Sequence, residues 1–202
     1  MSKIVVVHGT PGSGKTTHAH RLKEHWSQGL EHISIGNQLR SIRMGEVDSH
    51  FKKDIDHQAD VLAQSAPLNH EVVNGVIFEF IENCPSAGYV LIDGYPRFLD
   101  QLPLFYNSLT LGGHGYIGLI HLQISLETCI SRLTKSRGTR SGEKDVDEDF
   151  ATWRFNEYQD HTIPTIALLG RNVPIISIDA EPPMDKVWEM FFREMQSLTF
   201  NQ

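Results

Sequence analysis

The apolar run Ile4-Val5-Val6-Val7 passes almost directly into Gly9-Thr10-Pro11-Gly12-Ser13-Gly14-Lys15-Thr16, and a segment with helical spacing follows from Lys15 to Gln28. A strand that is apolar without alternation must be buried on both faces, which requires a sheet covered by helices on each side. Three glycines between that strand and the helix let bare backbone turn tightly and present its N–H groups to an anion, while the helix directs its positive end at the same place. The segment therefore reads as a phosphate-binding loop, with Lys15 reaching the β and γ phosphates of a nucleoside triphosphate and Thr16 offering a hydroxyl toward Mg²⁺.

The same pattern recurs along the chain. Apolar segments predict five strands, at Ile4 to Val7, His32 to Ile35, Tyr89 to Ile92, Ile117 to Ile124 and Val173 to Ile178. Between and after them lie helical spacings at Asn37 to Met44, Phe51 to Gln64, Asn69 to Glu82, Leu99 to Ser108, Leu126 to Lys135, Asp149 to Leu169 and Met184 to Ser197. Alternation of this kind predicts an α/β fold, a phosphate-loop three-layer sandwich around a five-stranded parallel sheet. Ligands in such folds gather beyond the C-terminal ends of the strands, which places His8-Gly9, Gly36 and Asp93-Gly94 along one edge. Two stretches interrupt the alternation, from about Asn37 to Pro67 and from Ser136 to Asp149. The second is charged and poor in apolar residues, as expected of a mobile loop that covers a phosphoryl-transfer site.

Composition narrows the function further. With 202 residues, 40% of them hydrophobic, the chain is long enough to bury one core and is read as a single domain, 1–202. A net charge of −7 disfavours sequence-independent nucleic-acid binding, which needs many Lys and Arg facing phosphates. No segment approaches the apolar length of a membrane span, and a cytoplasmic monomer is expected. Cys84 and Cys129 are too few and too far apart for a disulfide framework or a four-cysteine zinc site, and are read as buried or free thiols. Eleven histidines show no ligand spacing, and His18 and His20, two apart on a helix, fall on different faces, so surface or cap positions are expected.

Phosphoryl transfer needs positive charge arranged around a spreading negative charge, and arginine supplies it in paired donors. Arg40, Arg97, Arg137, Arg140 and Arg154 fall near predicted strand ends or in the charged loop.

At these residues the chain resembles the nucleoside monophosphate kinase family, and short-lid adenylate kinases most of all. The phosphate loop is similar to the family's Gly-x-Pro-Gly-Ser-Gly-Lys pattern. Ser34-Ile35-Gly36-Asn37-Gln38-Leu39-Arg40 resembles the opening of the monophosphate-binding insertion, about 36–67. Asp93-Gly94-Tyr95-Pro96-Arg97 with Gln101 resembles the Asp-Gly-(Phe/Tyr)-Pro-Arg signature and its glutamine, and the lid would occupy about 136–149. The resemblance implies that Gly12, Ser13, Gly14, Lys15, Thr16 and Thr17 hold the ATP phosphates, with Arg137 and the backbone near Pro182 completing the ATP site. It implies that Ile35, Arg40, Ser65, Ala66, Gly94, Arg97, Gln101 and Arg154 bind the acceptor monophosphate, Gln101 through the base. Lys15, Arg97, Arg137 and Arg154 would be catalytic. Mg²⁺ would arrive with ATP, organised by Asp93 through water and by Thr16.

The chain departs from the family at several points. Thr16 stands where adenylate kinases usually carry glycine, Ile35 where they carry threonine, and Asn37 where they carry an acidic residue. Glu143 falls at the position of a lid arginine, with Arg140 and Lys144 as neighbouring replacements, and Val146 replaces an aspartate. AMP is the acceptor expected from Gln101; UMP or CMP is the alternative, as is a nucleotide-binding regulator with weak turnover.

Overall fold

In a computed structural model, residues 1–26, 29–57, 69–84, 88–135 and 147–200 are described. Five strands, β1 (Lys3–Gly9), β2 (Leu30–Ser34), β3 (Tyr89–Asp93), β4 (Gly115–Gln123) and β5 (Ile175–Asp179), form one parallel sheet in the order β2-β3-β1-β4-β5. β1 is central. Its side chains divide by alternation between two cores. Ile4 and Val6 join Ile33, Ile92 and Leu119 on one face, and Val5 and Val7 join Leu91, Ile120 and Leu122 on the other. All four β1 residues are fully buried, and burying an aliphatic side chain of this size contributes about 1.5–3 kcal/mol.

The first face is covered by α4 (His70–Glu82), α5 (Gln101–Gly112) and α8 (Ile163–Leu169), through residues including Ile77, Phe105 and Ile166. The second is covered by α1 (Lys15–His25), α6 (Leu126–Lys135) and α9 (Met184–Phe200), through Leu22, Cys129 and Phe191. The expected helix–sheet–helix sandwich is thereby met. Among the described residues no helix is long and apolar enough to cross a membrane. Cys84 and Cys129 are free thiols, half-buried and buried.

Three expectations change. Ile35 does not end β2 but opens α2 (Ile35–Met44): Ser34 is the last extended residue, and Ile35 turns its buried side chain into the first core. The long helix predicted from Asp149 to Leu169 is α7 (Glu148–Glu157), a π-helical segment (Tyr158–Thr162) and α8. Pro164 accounts for the break, because its ring crowds the carbonyl one turn earlier and it donates no N–H; the Ile163 N–H instead donates to the Tyr158 carbonyl, five residues back. His18, expected at the surface, is buried against Trp188 and Phe191, whereas His20 on the adjacent face is exposed. Of the insertion at 36–67, α2 and the short α3 (Lys52–His57) are described. Residues 136–146, which include most of the expected lid, lie outside the described residues.

Candidate active site

The ends of β1 and β3 set the site. Parallel register pairs Val7 with Asp93, and the Gly94 N–H donates to the Val7 carbonyl at 3.1 Å, so the two chains leave the sheet together. Between β1 and α1 the backbone needs left-handed conformations at Gly12 and Gly14 (φ 80° and 83°), which side chains disfavour. Gly14 is also the N-cap of α1 and provides no side-chain acceptor, so the first amides of the helix are not capped by that residue. Beneath the loop, Ser13 Oγ is buried with no hydrogen-bond partner among the described residues. Thr17 is exposed.

A cavity of about 360 Å³ opens at this edge, within the range of small-ligand sites. Lys15, Ile35, Gly94, Arg97, Gln101 and Arg154 all line it. Of the three stretches placed at the sheet edge from sequence, His8-Gly9 and Gly36 line it completely and Asp93-Gly94 through Gly94.

The loop after β3 is held rigidly. Gln101 Oε1 accepts from the backbone N–H of Arg97 (2.7 Å) and of Phe98 (3.3 Å), the Thr165 hydroxyl donates to the Arg97 carbonyl (3.2 Å), and the buried Tyr95 hydroxyl donates to Asn74 Oδ1 (2.8 Å). Arg97 Nε donates to the Gly94 carbonyl at 2.6 Å, which fixes the start of the guanidinium and leaves its Nη groups for the cavity side. The surrounding protein and the nearby Arg154 charge oppose protonation of Arg97, while Asp93 favours it. Its solvent contact and intrinsic basicity keep it charged. Two guanidiniums held at one cavity repel each other unless an anion lies between them.

Asp93 lies 2% exposed behind the loop. Although burial opposes its charge, the His32 ring beside it (Nε2 3.7 Å from Oδ2), the charge of Lys15 and the hydrogen bond from Thr16 bring its pKa down to about 2. The Thr16 hydroxyl donates to Asp93 Oδ2 at 2.5 Å, and Asp93 Oδ1 is buried without a hydrogen-bond partner among the described residues. An ionised carboxylate with an unused oxygen, beside a hydroxyl whose lone pairs remain available, is a donor set suited to a hard divalent cation. Groups of three or more metal-binding side chains do not occur among the described residues, so such an ion would need water and ligand oxygens as well.

Arg132 ties the glycine loop to the segment after β5. It donates to the Gly12 carbonyl (3.4 Å) and to the carbonyls of Ala180 (2.9 Å) and Glu181 (3.1 Å), joining the phosphate loop to the segment that carries the half-buried Pro182. Arg40 stands apart. It is exposed, outside the cavity wall, with Nη2 donating to Asn37 Oδ1 at 2.5 Å, although Gly36 and Leu39 of the same helix line the cavity. Ser65, Ala66, Arg137, Arg140 and Glu143 lie outside the described residues.

The cavity also contains residues the sequence did not single out for it: Trp153, Glu157 and Thr162 from α7 and the π-helical segment, and Phe98, which stacks on His70 at 5.1 Å. His8 and Tyr158 line it too, and His121, 4% exposed, lies against Tyr158 through a hydrogen bond between Nε2 and the hydroxyl. Burial, then the charges of Arg97, His121 and Lys15, lower the pKa of His8 to about 3 despite Asp93, and burial lowers that of His121 to about 4.

Residues 7–172 match the family model described as adenylate kinase. Adenylate kinase isoenzyme 1 of Cyprinus carpio is 31% identical over 198 residues, 98% of this chain and 96% of its own. The adenylate kinase of Flavobacterium johnsoniae is 27% identical over 186 residues (92% and 94%), and that of Xylella fastidiosa strain M12 is 27% identical over 183 (91% and 94%). With a phosphate loop, an arginine pair and this match over most of its length, the chain belongs to the adenylate kinase family and is a phosphotransferase of the nucleoside monophosphate kinase type.

Proposed function

We propose that the protein transfers the γ-phosphoryl group of Mg-ATP to a nucleoside monophosphate, with AMP as acceptor, so that ATP and AMP yield two ADP. The observation that carries this reading is the convergence of Lys15, Arg97 and Arg154 on one cavity at the strand ends. Relatives that bear the name adenylate kinase along nearly the whole chain support AMP, as does Gln101 at the cavity wall. With its Oε1 occupied by backbone amides, Gln101 can offer a base the N–H donors of its amide.

In this reading Gly12 to Thr17 bind the triphosphate and Lys15 follows the group in transfer. Arg97, anchored through Nε, grips the acceptor phosphate, and Arg154 bridges donor and acceptor. Asp93, through water, and Thr16 would organise Mg²⁺, and the ion would supply charge neutralisation at the phosphate oxygens. The acceptor oxygen attacks phosphorus in line, so the residues position, neutralise and exclude water, and no protein nucleophile takes part. Residues 36–67 would form the monophosphate-binding insertion and 136–149, with Arg137, the lid; Arg40 would need to leave Asn37 to reach a phosphate. The reading also includes Ile35, Ser65 and Ala66 at the acceptor and Pro182 at the donor base, within one cytoplasmic, monomeric domain.

Incubating purified protein and Mg-ATP with AMP, CMP, UMP, GMP and their deoxy forms tests it. AMP should be used best. Preference for CMP or UMP would replace the acceptor, and ATP binding without transfer to any of them would leave a nucleotide-binding regulator.

A further inference from the structure

β1 directs Ile4, Val6 and His8 to one face, and its register pairs His8 with His121 on β4, so two imidazoles lie side by side where the apolar face meets the cavity. They differ in one respect. His121 Nε2 is hydrogen-bonded to the Tyr158 hydroxyl, whereas His8, 2% exposed and lining the cavity, has no partner for Nε2 among the described residues. A buried polar nitrogen without a partner is costly, and an aliphatic residue would continue the Ile4–Val6 face without that cost. The ring lies within the electrostatic reach of Lys15 in the phosphate loop and of Arg97 in the loop after β3, with Asp93 also near. It therefore stands at the junction of the donor and acceptor halves of the cavity.

We propose that His8 is a further phosphate-contacting residue, its imidazole donating a hydrogen bond to an oxygen of the phosphoryl group held between Lys15 and Arg97. This rests on the phosphoryl-transfer reading above. The role suits a neutral ring. A third cation beside Lys15 and Arg97 would add repulsion, whereas a neutral N–H adds direction at no cost in charge, and a phosphate oxygen selects the tautomer that faces it.

Two variants and one spectroscopic measurement test the proposal. His8→Leu keeps an apolar face and removes the donor; His8→Gln keeps an N–H near the same place. Loss of one hydrogen bond to a charged oxygen should lower kcat/KM for Mg-ATP and AMP about 10- to 100-fold in His8→Leu, and His8→Gln should recover most of it. Tripolyphosphate, which lacks a nucleoside, should inhibit His8→Leu more weakly by a similar factor, while inhibition by adenosine should not change. In ¹⁵N-histidine-labelled protein, the ring nitrogens of His8, assigned by their absence in His8→Gln, should shift on addition of tripolyphosphate. Wild-type kcat/KM in His8→Leu, or ring resonances that do not respond, would make His8 a packing residue; the second readout holds even where His8→Leu does not fold. Failure of the transfer reading would look different: wild-type protein would transfer to no monophosphate.

Discussion

Replacing Arg97 by lysine separates fork geometry from charge. The Nε of Arg97 is committed to the Gly94 carbonyl, so in the proposed reading the Nη groups are what the acceptor phosphate would meet. Two charge-assisted bonds from such a fork are worth about 1.5–3 kcal/mol each, and a lysine keeps the charge and one bond. Losing the other should lower kcat/KM about 10- to 150-fold, chiefly as a higher KM for AMP. The lost bond to Gly94 costs about 0.5–1.5 kcal/mol of stability, a Tm decrease of a few degrees for a chain of this size. Affinity for Mg-ATP, measured by calorimetry, should stay within about twofold, since the proposed reading gives the donor phosphates to the glycine loop and not to Arg97. A kcat/KM within about threefold of wild type, or a loss of ATP affinity larger than the loss for AMP, would refute the assignment of Arg97 to the acceptor phosphate.

Lys15→Met should leave the protein folded and reduce turnover by about 10²–10³ or more; an undiminished rate would discard the site. Glu143→Arg should raise turnover if residue 143 meets phosphates, whereas no gain together with a damaging Arg140→Ala would assign the role to Arg140. Stability should fall steeply with acid. His8, His18 and His121 have folded pKa values of about 3, 4 and 4, below the ordinary 6.5, so the unfolded chain binds protons first. Stability is complete above pH 7 and declines below the unfolded pKa, by up to about 4 kcal/mol per pH unit near pH 5, where the three rings are still largely neutral in the native protein and protonated in the unfolded chain, and less steeply as the pH nears 4 and His18 and His121 begin to protonate in the native protein. Urea melts at pH 7.5, 6 and 5 measure this, and equal free energies at the three would contradict it.

What the sequence revealed follows from which forces are local. Ile4 to Val7 declared a doubly covered strand because four consecutive residues are apolar with no alternation, and the glycine loop declared its place because few other residues can adopt its conformations. The start of α2 at Ile35 was hidden, since an apolar residue at a strand end reads the same whether it extends or turns. Pro164 could have located the π-helical segment, being a residue that no uninterrupted helix accommodates well. The burial of His8, His18 and His121 was not visible, because histidine is common at surfaces and only the pairing of β1 with β4 and the packing of α9 over α1 enclose those rings. Likewise Trp153 and Glu157 reach the cavity through the placement of α7, which helical spacing alone does not fix.

Arg132 spans carbonyls of Gly12, Ala180 and Glu181, segments far apart in the chain that one guanidinium sets at a fixed separation. In the proposed reading, one segment receives the phosphate chain of the donor and the other lies beside its base. Arg132 then acts as a gauge of donor length. A nucleotide with one phosphate too few or too many, seated by its base, would present the wrong phosphorus to the acceptor, so selection among donors would arise from span as well as from the groups that contact the terminal phosphate.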